Sequence, residues 1–114
     1  MKKEKTCKIV FSDIDGTLLT SDGQITEGTK EMILNLEKEG IPFILTSARS
    51  PEGVRVIKRM LGNHAPIIAF CGGLILDNDG NEIYSKMIPL KRALELKAML
   101  DKDFPAVACN TFGG

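Results

Sequence analysis

A doubly wound α/β fold is predicted by the order strand, helix, strand, helix, strand over residues 8–73, where short apolar runs alternate with longer segments at helical spacing. Two further observations support it. Each apolar run is rich in β-branched residues and stops at a polar residue or a glycine, and each helical segment carries recognisable start and stop residues. In this class parallel strands are joined by right-handed crossovers, and ligands bind beyond their carboxyl ends.

Residues 8–12 form the first buried strand, which should end near Asp13. Residues 18–25 contain Ser21-Asp22-Gly23, a turn signal between extended residues, which predicts a small hairpin or flap. Ile25, Met32, Ile33 and Leu36 lie at helical spacing, with Thr26 as N-cap and Gly40 where a glycine stops a helix. Residues 42–46 read as the second strand. Ser50-Pro51-Glu52 then opens a second helix, with an N-cap serine and proline at the first helical position, and Val54, Ile57 and Leu61 carry its apolar stripe. Gly62 and Asn63 close it, and residues 66–70 form a third strand ending at Cys71-Gly72-Gly73.

The pattern then changes. Residues 74–76 and 82–84 flank Asp77-Asn78-Asp79-Gly80-Asn81, the composition of a hairpin turn. A calcium loop is the competing reading, but with Gly80 as the sixth position Ile75 would stand first, where a carboxylate is required. Pro89 opens a third helix through Leu90, Leu94 and Leu100, and residues 106–109 read as one more strand.

With 114 residues the chain is one domain at most. Fifteen basic and fifteen acidic side chains balance, so no basic face for nucleic acid stands out, and 43% hydrophobic residues suffice for a core. No signal peptide or membrane span is evident. Cys7, Cys71 and Cys109 are odd in number and widely spaced, which argues against a disulfide framework or a zinc site and for a reducing cytoplasm. Cys71 reads as a buried thiol rather than a reactive one, and His64 as a surface residue of a polar turn.

Chemistry concentrates at Asp13-Ile14-Asp15-Gly16-Thr17. Two carboxylates two positions apart at a strand end project to the same side, and Gly16 lets the chain turn sharply behind them. Such a pair suits phosphoryl transfer. One carboxylate, with a backbone carbonyl, holds Mg2+ and attacks phosphorus in line, while its neighbour serves as general acid and then general base. An exposed turn whose carboxylates cap backbone amides is the competing reading of these residues alone.

The longer string, following an apolar strand, resembles the Asp-x-Asp-Gly-Thr signature of the haloacid dehalogenase superfamily, and the wider chain resembles its Cof-type phosphatases. Leu45-Thr46-Ser47-Ala48-Arg49 is similar to the family's Thr-Gly-Arg strand end, Phe70-Cys71-Gly72-Gly73 to its Asn-Gly turn, and the Asp-rich hairpin leads to Ile88-Pro89-Leu90 as it does there. The resemblance implies a three-layer Rossmann-like core, here partial, over residues 1–88 with a flap, and the start of an α+β cap over 89–114. It implies Asp13 as nucleophile, Asp15 as acid/base, and both as Mg2+ ligands, Asp15 through its carbonyl. Gly16, Thr17 and Ser47 would bind phosphate, and Arg49 and Gly72 would meet substrate or cap. Arg49 reads equally well as a solvated support of its loop. The expected reaction is hydrolysis of a small phosphomonoester such as a sugar phosphate through an aspartyl-phosphate, in the cytoplasm, with no nucleic-acid or membrane partner.

The chain departs from the family at Ala48, where glycine is usual, and at Cys71, where asparagine is usual. No segment matches the family's later lysine or its Gly-Asp acidic pair. Lys58, Lys97, Asp101 and Asp103 read as solvated helix faces. Only the first three core strands are present, so one sheet edge stays open, which implies pairing with a second copy. The alternative function is therefore a catalytically incomplete module that binds Mg2+ or phosphate weakly or oligomerises. A phospho-accepting receiver domain fits less well, because its acidic residues are dispersed differently.

Overall fold

The computed structural model describes residues 8–108. Its elements are β1 (Val10–Asp13), α1 (Glu27–Lys38), β2 (Phe43–Thr46), α2 (Pro51–Leu61), β3 (Ile67–Ala69), β4 (Leu74–Leu76), β5 (Glu82–Ser85) and α3 (Leu90–Asp103). A turn of 3-10 helix, Phe70–Gly72, joins β3 to β4.

The helix signals act where the sequence puts them. Thr26 accepts a hydrogen bond from the Thr29 amide at the start of α1, and Gly40 takes φ +79° just past its end. Ser50 accepts from the Gly53 amide at the start of α2, Pro51 occupies the first turn, and Gly62 closes the helix in the left-handed region. The Asp22 turn also forms, closed by the Thr20 amide donating to the Gln24 carbonyl at 2.8 Å, but residues 18–25 contain no strand, so the flap is a turn rather than a hairpin. Here Thr20 bonds the Asp22 carboxylate, so side chains take the place of a ladder. Residues 106–108 form turn and bend rather than strand, and Cys109 and Cys7 lie outside the described residues.

The five strands form one sheet in the order β1-β2-β3-β4-β5. β1, β2 and β3 are parallel, with Val10 opposite Phe43 and Asp13 opposite Thr46, and β4 and β5 continue antiparallel through the hairpin. Both crossovers step in one direction, so right-handedness puts α1 and α2 over the same face. The core agrees. Ile33 of α1 and Val54, Ile57 and Leu61 of α2 pack with Phe43, Leu45, Ile67, Ala69 and Leu76, every second residue of the strands. The other face carries two cross-strand pairs, Phe11 with Ile44 and Ile68 with Ile75, outside that cluster, with Thr46 opposite Ile68 between them. Of the layers expected, the described residues build the sheet and one helical layer, with β1 at an edge and Phe11 56% exposed.

The hairpin turn is held by Asp77, whose carboxylate accepts from the Asp79 and Asn81 amides. Lys58 reaches it from α2 and donates to the Asn78 side-chain and main-chain oxygens. It is therefore a strut between helix and hairpin rather than a solvated lysine, and desolvation lowers its pKa. Lys97 does lie on a solvated face, paired with Asp101 at 2.9 Å.

Candidate functional site

The parallel strands end level with one another. Asp13 is the last residue of β1 and stands in register with Thr46, the last of β2, so residues 14–17 and 47–49 leave the sheet side by side. Ile14, fully buried, anchors the first of these loops. Its carbonyl accepts from the amides of Thr17, Leu18 and Leu19, which curls the chain back on itself, and Gly16 takes φ +75°, a conformation that a side chain would strain. Asp13, Asp15, Gly16 and Thr17 consequently lie exposed around a buried pivot.

The Asp13 carboxylate accepts from the Ile14 amide through Oδ1 at 2.9 Å. Asp15 is held differently. Arg49 donates to it twice, from Nε to Oδ2 at 2.8 Å and from Nη2 to Oδ1 at 2.6 Å, a bidentate fork that occupies both carboxylate oxygens. These hydrogen bonds hold the Asp15 carboxyl below its ordinary pKa and raise that of Arg49. The pairing spans 34 residues, and the sequence carries no local signal for it. Of the two readings of Arg49, the structure displays loop support, with Asp15 as what is supported.

Ser47 is 5% exposed. Its Oγ accepts from the Arg49 amide at 3.0 Å, which leaves its hydroxyl proton free to be directed elsewhere, and Ser50, not Ser47, caps α2. Ala48 avoids the positive-φ region, so alanine in place of glycine carries no backbone strain.

The turn after β3 closes the far side. Phe70, Cys71 and Gly72 all take positive φ, at 50°, 54° and 97°, an uncommon state for the first two. They are kept there by main-chain bonds to the β2 loop: the Phe70 amide donates to the Arg49 carbonyl and the Cys71 amide to the Ser47 carbonyl, at 3.0 and 2.9 Å. The same twist turns Cys71 outward. It is an exposed free thiol, not the buried one the sequence suggested. Gly72 supplies backbone at this rim. His64 lies elsewhere, on the surface, with Nδ1 2.8 Å from a Glu37 carboxylate oxygen, as its turn composition suggested.

Two hard-oxygen groups, the Asp13 carboxylate and the Asp15 carbonyl, sit at one strand end, which fits a Mg2+ ion that keeps several waters. Among the described residues no group of three or more histidine, cysteine or acidic side chains could hold a metal ion. The site is an open strand-end surface. A cavity of about 710 Å3 lies instead between α2 and the hairpin turn, lined by Arg55, Lys58, Arg59, Asn63, Asp77 and Asp79 among others. Ile67, at the amino end of β3, is among its lining residues, Asp13 is not, and the lining mixes both signs of charge.

Comparison with known proteins agrees with this architecture. Residues 10–112 match the family model of haloacid dehalogenase-like hydrolases. A Haemophilus influenzae protein, provisionally named a phosphatase, is 40% identical over 105 residues, covering 92% of this chain and 40% of its own length. A phosphoglycolate phosphatase of Thermoplasma volcanium is 36% identical over 74 residues, covering 65% of this chain and 33% of its own length. Among solved structures, a haloacid dehalogenase-like hydrolase from B. subtilis superposes with a TM-score of 0.76 at 27% identity, over 84% of this chain and 34% of that one. The chain thus spans well under half the length of the relatives it matches. With the Asp13-Asp15 strand end, the parallel β1-β2-β3 arrangement and this match over residues 10–112, the chain belongs to the haloacid dehalogenase-like hydrolases.

Proposed function

We propose that the chain carries the nucleophile half of a phosphomonoester hydrolase that works through an aspartyl-phosphate on Asp13. The observation that carries the reading is the convergence of Asp13, Asp15 and Ser47 on two adjoining carboxyl ends of parallel strands, with Asp13 in register with Thr46. Asp13 attacks phosphorus, displacing the alcohol oxygen of the substrate. Asp15 gives that oxygen a proton, and then takes one from the water that hydrolyses the phosphoenzyme. Ser47, Gly16 and Thr17 orient the phosphoryl oxygens, and Gly72 lies at the rim where substrate or cap would meet the core. A bound Mg2+ would draw on the Asp13 carboxylate and the Asp15 carbonyl and offset charge on the phosphoryl oxygens.

Arg49 adds a condition to this reaction. While its fork grips Asp15, the carboxylate is ionised and suited to act as a base; protonating the leaving group requires the fork to open, and a dianionic phosphoryl group is the natural competitor for the guanidinium.

The same reading assigns residues 1–88 to a partial core and 89–114 to the start of a cap, a small phosphorylated metabolite such as a sugar phosphate as substrate, and the cytoplasm as its location. It includes self-association through the open β1 edge. No helix among the described residues is long and apolar enough to cross a membrane. The second reading, a module that binds Mg2+ or phosphate without turnover, is favoured by one observation: the Arg49 fork occupies both carboxylate oxygens of Asp15.

Mg2+-dependent hydrolysis of an aryl phosphate by this chain decides between them. Asp13→Asn should abolish turnover, and Asp15→Asn should slow it by about 10²–10⁴-fold. Equal rates for the parent and Asp13→Asn would remove the catalytic reading and leave the binding module.

A further inference from the structure

We propose that Gly53 is a positioning residue of the site: its missing side chain leaves the channel along which Arg49 reaches Asp15. Gly53 lies in the first turn of α2, and its backbone is outside the positive-φ region, so its conformation does not require glycine. Helix propensity favours alanine there. What opposes a side chain is Arg49. A Cβ at position 53 would stand 3.2 Å from Arg49 Cβ, 3.4 Å from Cδ and 3.7 Å from Cγ, along the stem whose far end forks onto Asp15.

Neither partner can easily give way. The Arg49 backbone is tied on both sides, its amide to Ser47 Oγ within the β2 loop and its carbonyl to the Phe70 amide of the β3 turn, so its Cβ has little room to retreat. Gly53 is held in turn by the Ser50 cap. A shift of a few tenths of an ångström in the backbone eases the 3.2 Å contact at Cβ, and turning the Arg49 stem to another rotamer relieves the 3.4 Å contact at Cδ and withdraws the guanidinium. Gly28, in the first turn of α1, is the matched control, because a Cβ there meets nothing within 4 Å. The catalytic consequence rests on the reading of Asp15 as acid/base; the geometric claim does not.

The test follows the Nε–Hε resonance of Arg49 by NMR in the 15N-labelled chain. In the parent it should lie downfield and exchange slowly, as a proton bonded to a carboxylate does. Gly53→Ala should move it to the position of a solvated arginine, while Gly28→Ala leaves it in place. An unmoved resonance in Gly53→Ala, or an equal shift in both variants, would overturn the proposal. Should Gly53→Ala fold poorly, thermal melts in the Arg49→Gly background decide instead. There the obstruction is gone, so adding Gly53→Ala should raise Tm by about 2–4 °C, whereas in the parent it lowers Tm. The same sign in both backgrounds would count against the channel. Loss of Asp13-dependent hydrolysis as a reading leaves both measurements valid.

Discussion

α2 and α3 are written in much the same way and end in opposite circumstances. Each begins at a proline and carries apolar residues three or four apart, but α2 buries Pro51, Val54, Ile57 and Leu61, while α3 buries none of its residues and leaves Leu90, Leu94, Leu96 and Met99 between 47% and 74% exposed. The difference teaches that an amphipathic pattern specifies a helix and the stripe it offers for burial, whereas burial needs a surface to receive it. α2 follows β2 and must cross back over the sheet to reach β3. α3 follows the hairpin, with no subsequent strand among the described residues to draw it onto the sheet. The molecule is correspondingly long, 63 × 31 × 30 Å.

The widest expected separation between the helices is in truncation. Leu61→Ala, at a fully buried site, should cost about 2–5 kcal/mol in urea unfolding, and Leu94→Ala should change stability by no more than about 0.5 kcal/mol. Comparable losses at the two sites would mean that α3 is packed in solution.

Capping sharpens the contrast at smaller scale. Ser50 bonds the Gly53 amide, whereas Pro89 offers α3 no side-chain cap. Ser50→Ala should therefore destabilise the chain by about 1 kcal/mol, while Pro89→Ser should add helical circular dichroism without raising the unfolding midpoint.

Between the two helices lies the Asp77 turn, and its behaviour with pH has a definite sign. Hydrogen bonds from the Asn81 amide, then from its side chain and from other turn amides, lower the Asp77 pKa in the folded state. Its contribution is therefore complete above the ordinary aspartate value and is lost as pH falls through the lowered one. Protection of the Asp79 and Asn81 amides, taken relative to the intrinsic exchange rate at each pH, should fall on acidification across that interval and stay constant above it, and Asp77→Asn should flatten the response. The smallest effect belongs to Asp101→Asn, which removes the exposed Lys97 pair and should reduce α3 helicity by about 0.3–0.5 kcal/mol at low salt.

Local chemistry made much of this protein legible in advance. Thr26, Gly40, Ser50 and Gly62 act within one turn of chain, and the Asp77 hairpin closes on itself, so each could be read from its neighbours. Where such reading failed, the deciding partner was distant. Lys58 is a strut because Asn78 is brought to it, and Cys71 is exposed because its amide is spent on Ser47. Residues 18–25 are the local exception: they form only a turn, since Thr20 and Asp22, two residues apart, satisfy each other without a ladder.

The sequence by itself determined the α/β order, the strand-end carboxylates of Asp13 and Asp15 and the serine and arginine that follow β2, because strand ends, caps and the Asp-x-Asp spacing depend on contiguous residues. Only the tertiary structure decided what those groups do to one another. Register laid Asp13 beside Thr46, a turn of three positive-φ residues pinned the β2 loop, and an empty Cβ position at Gly53 let Arg49 close on Asp15. Those outcomes depend on sheet pairing and side-chain clearance between segments far apart in the chain, which no local pattern encodes.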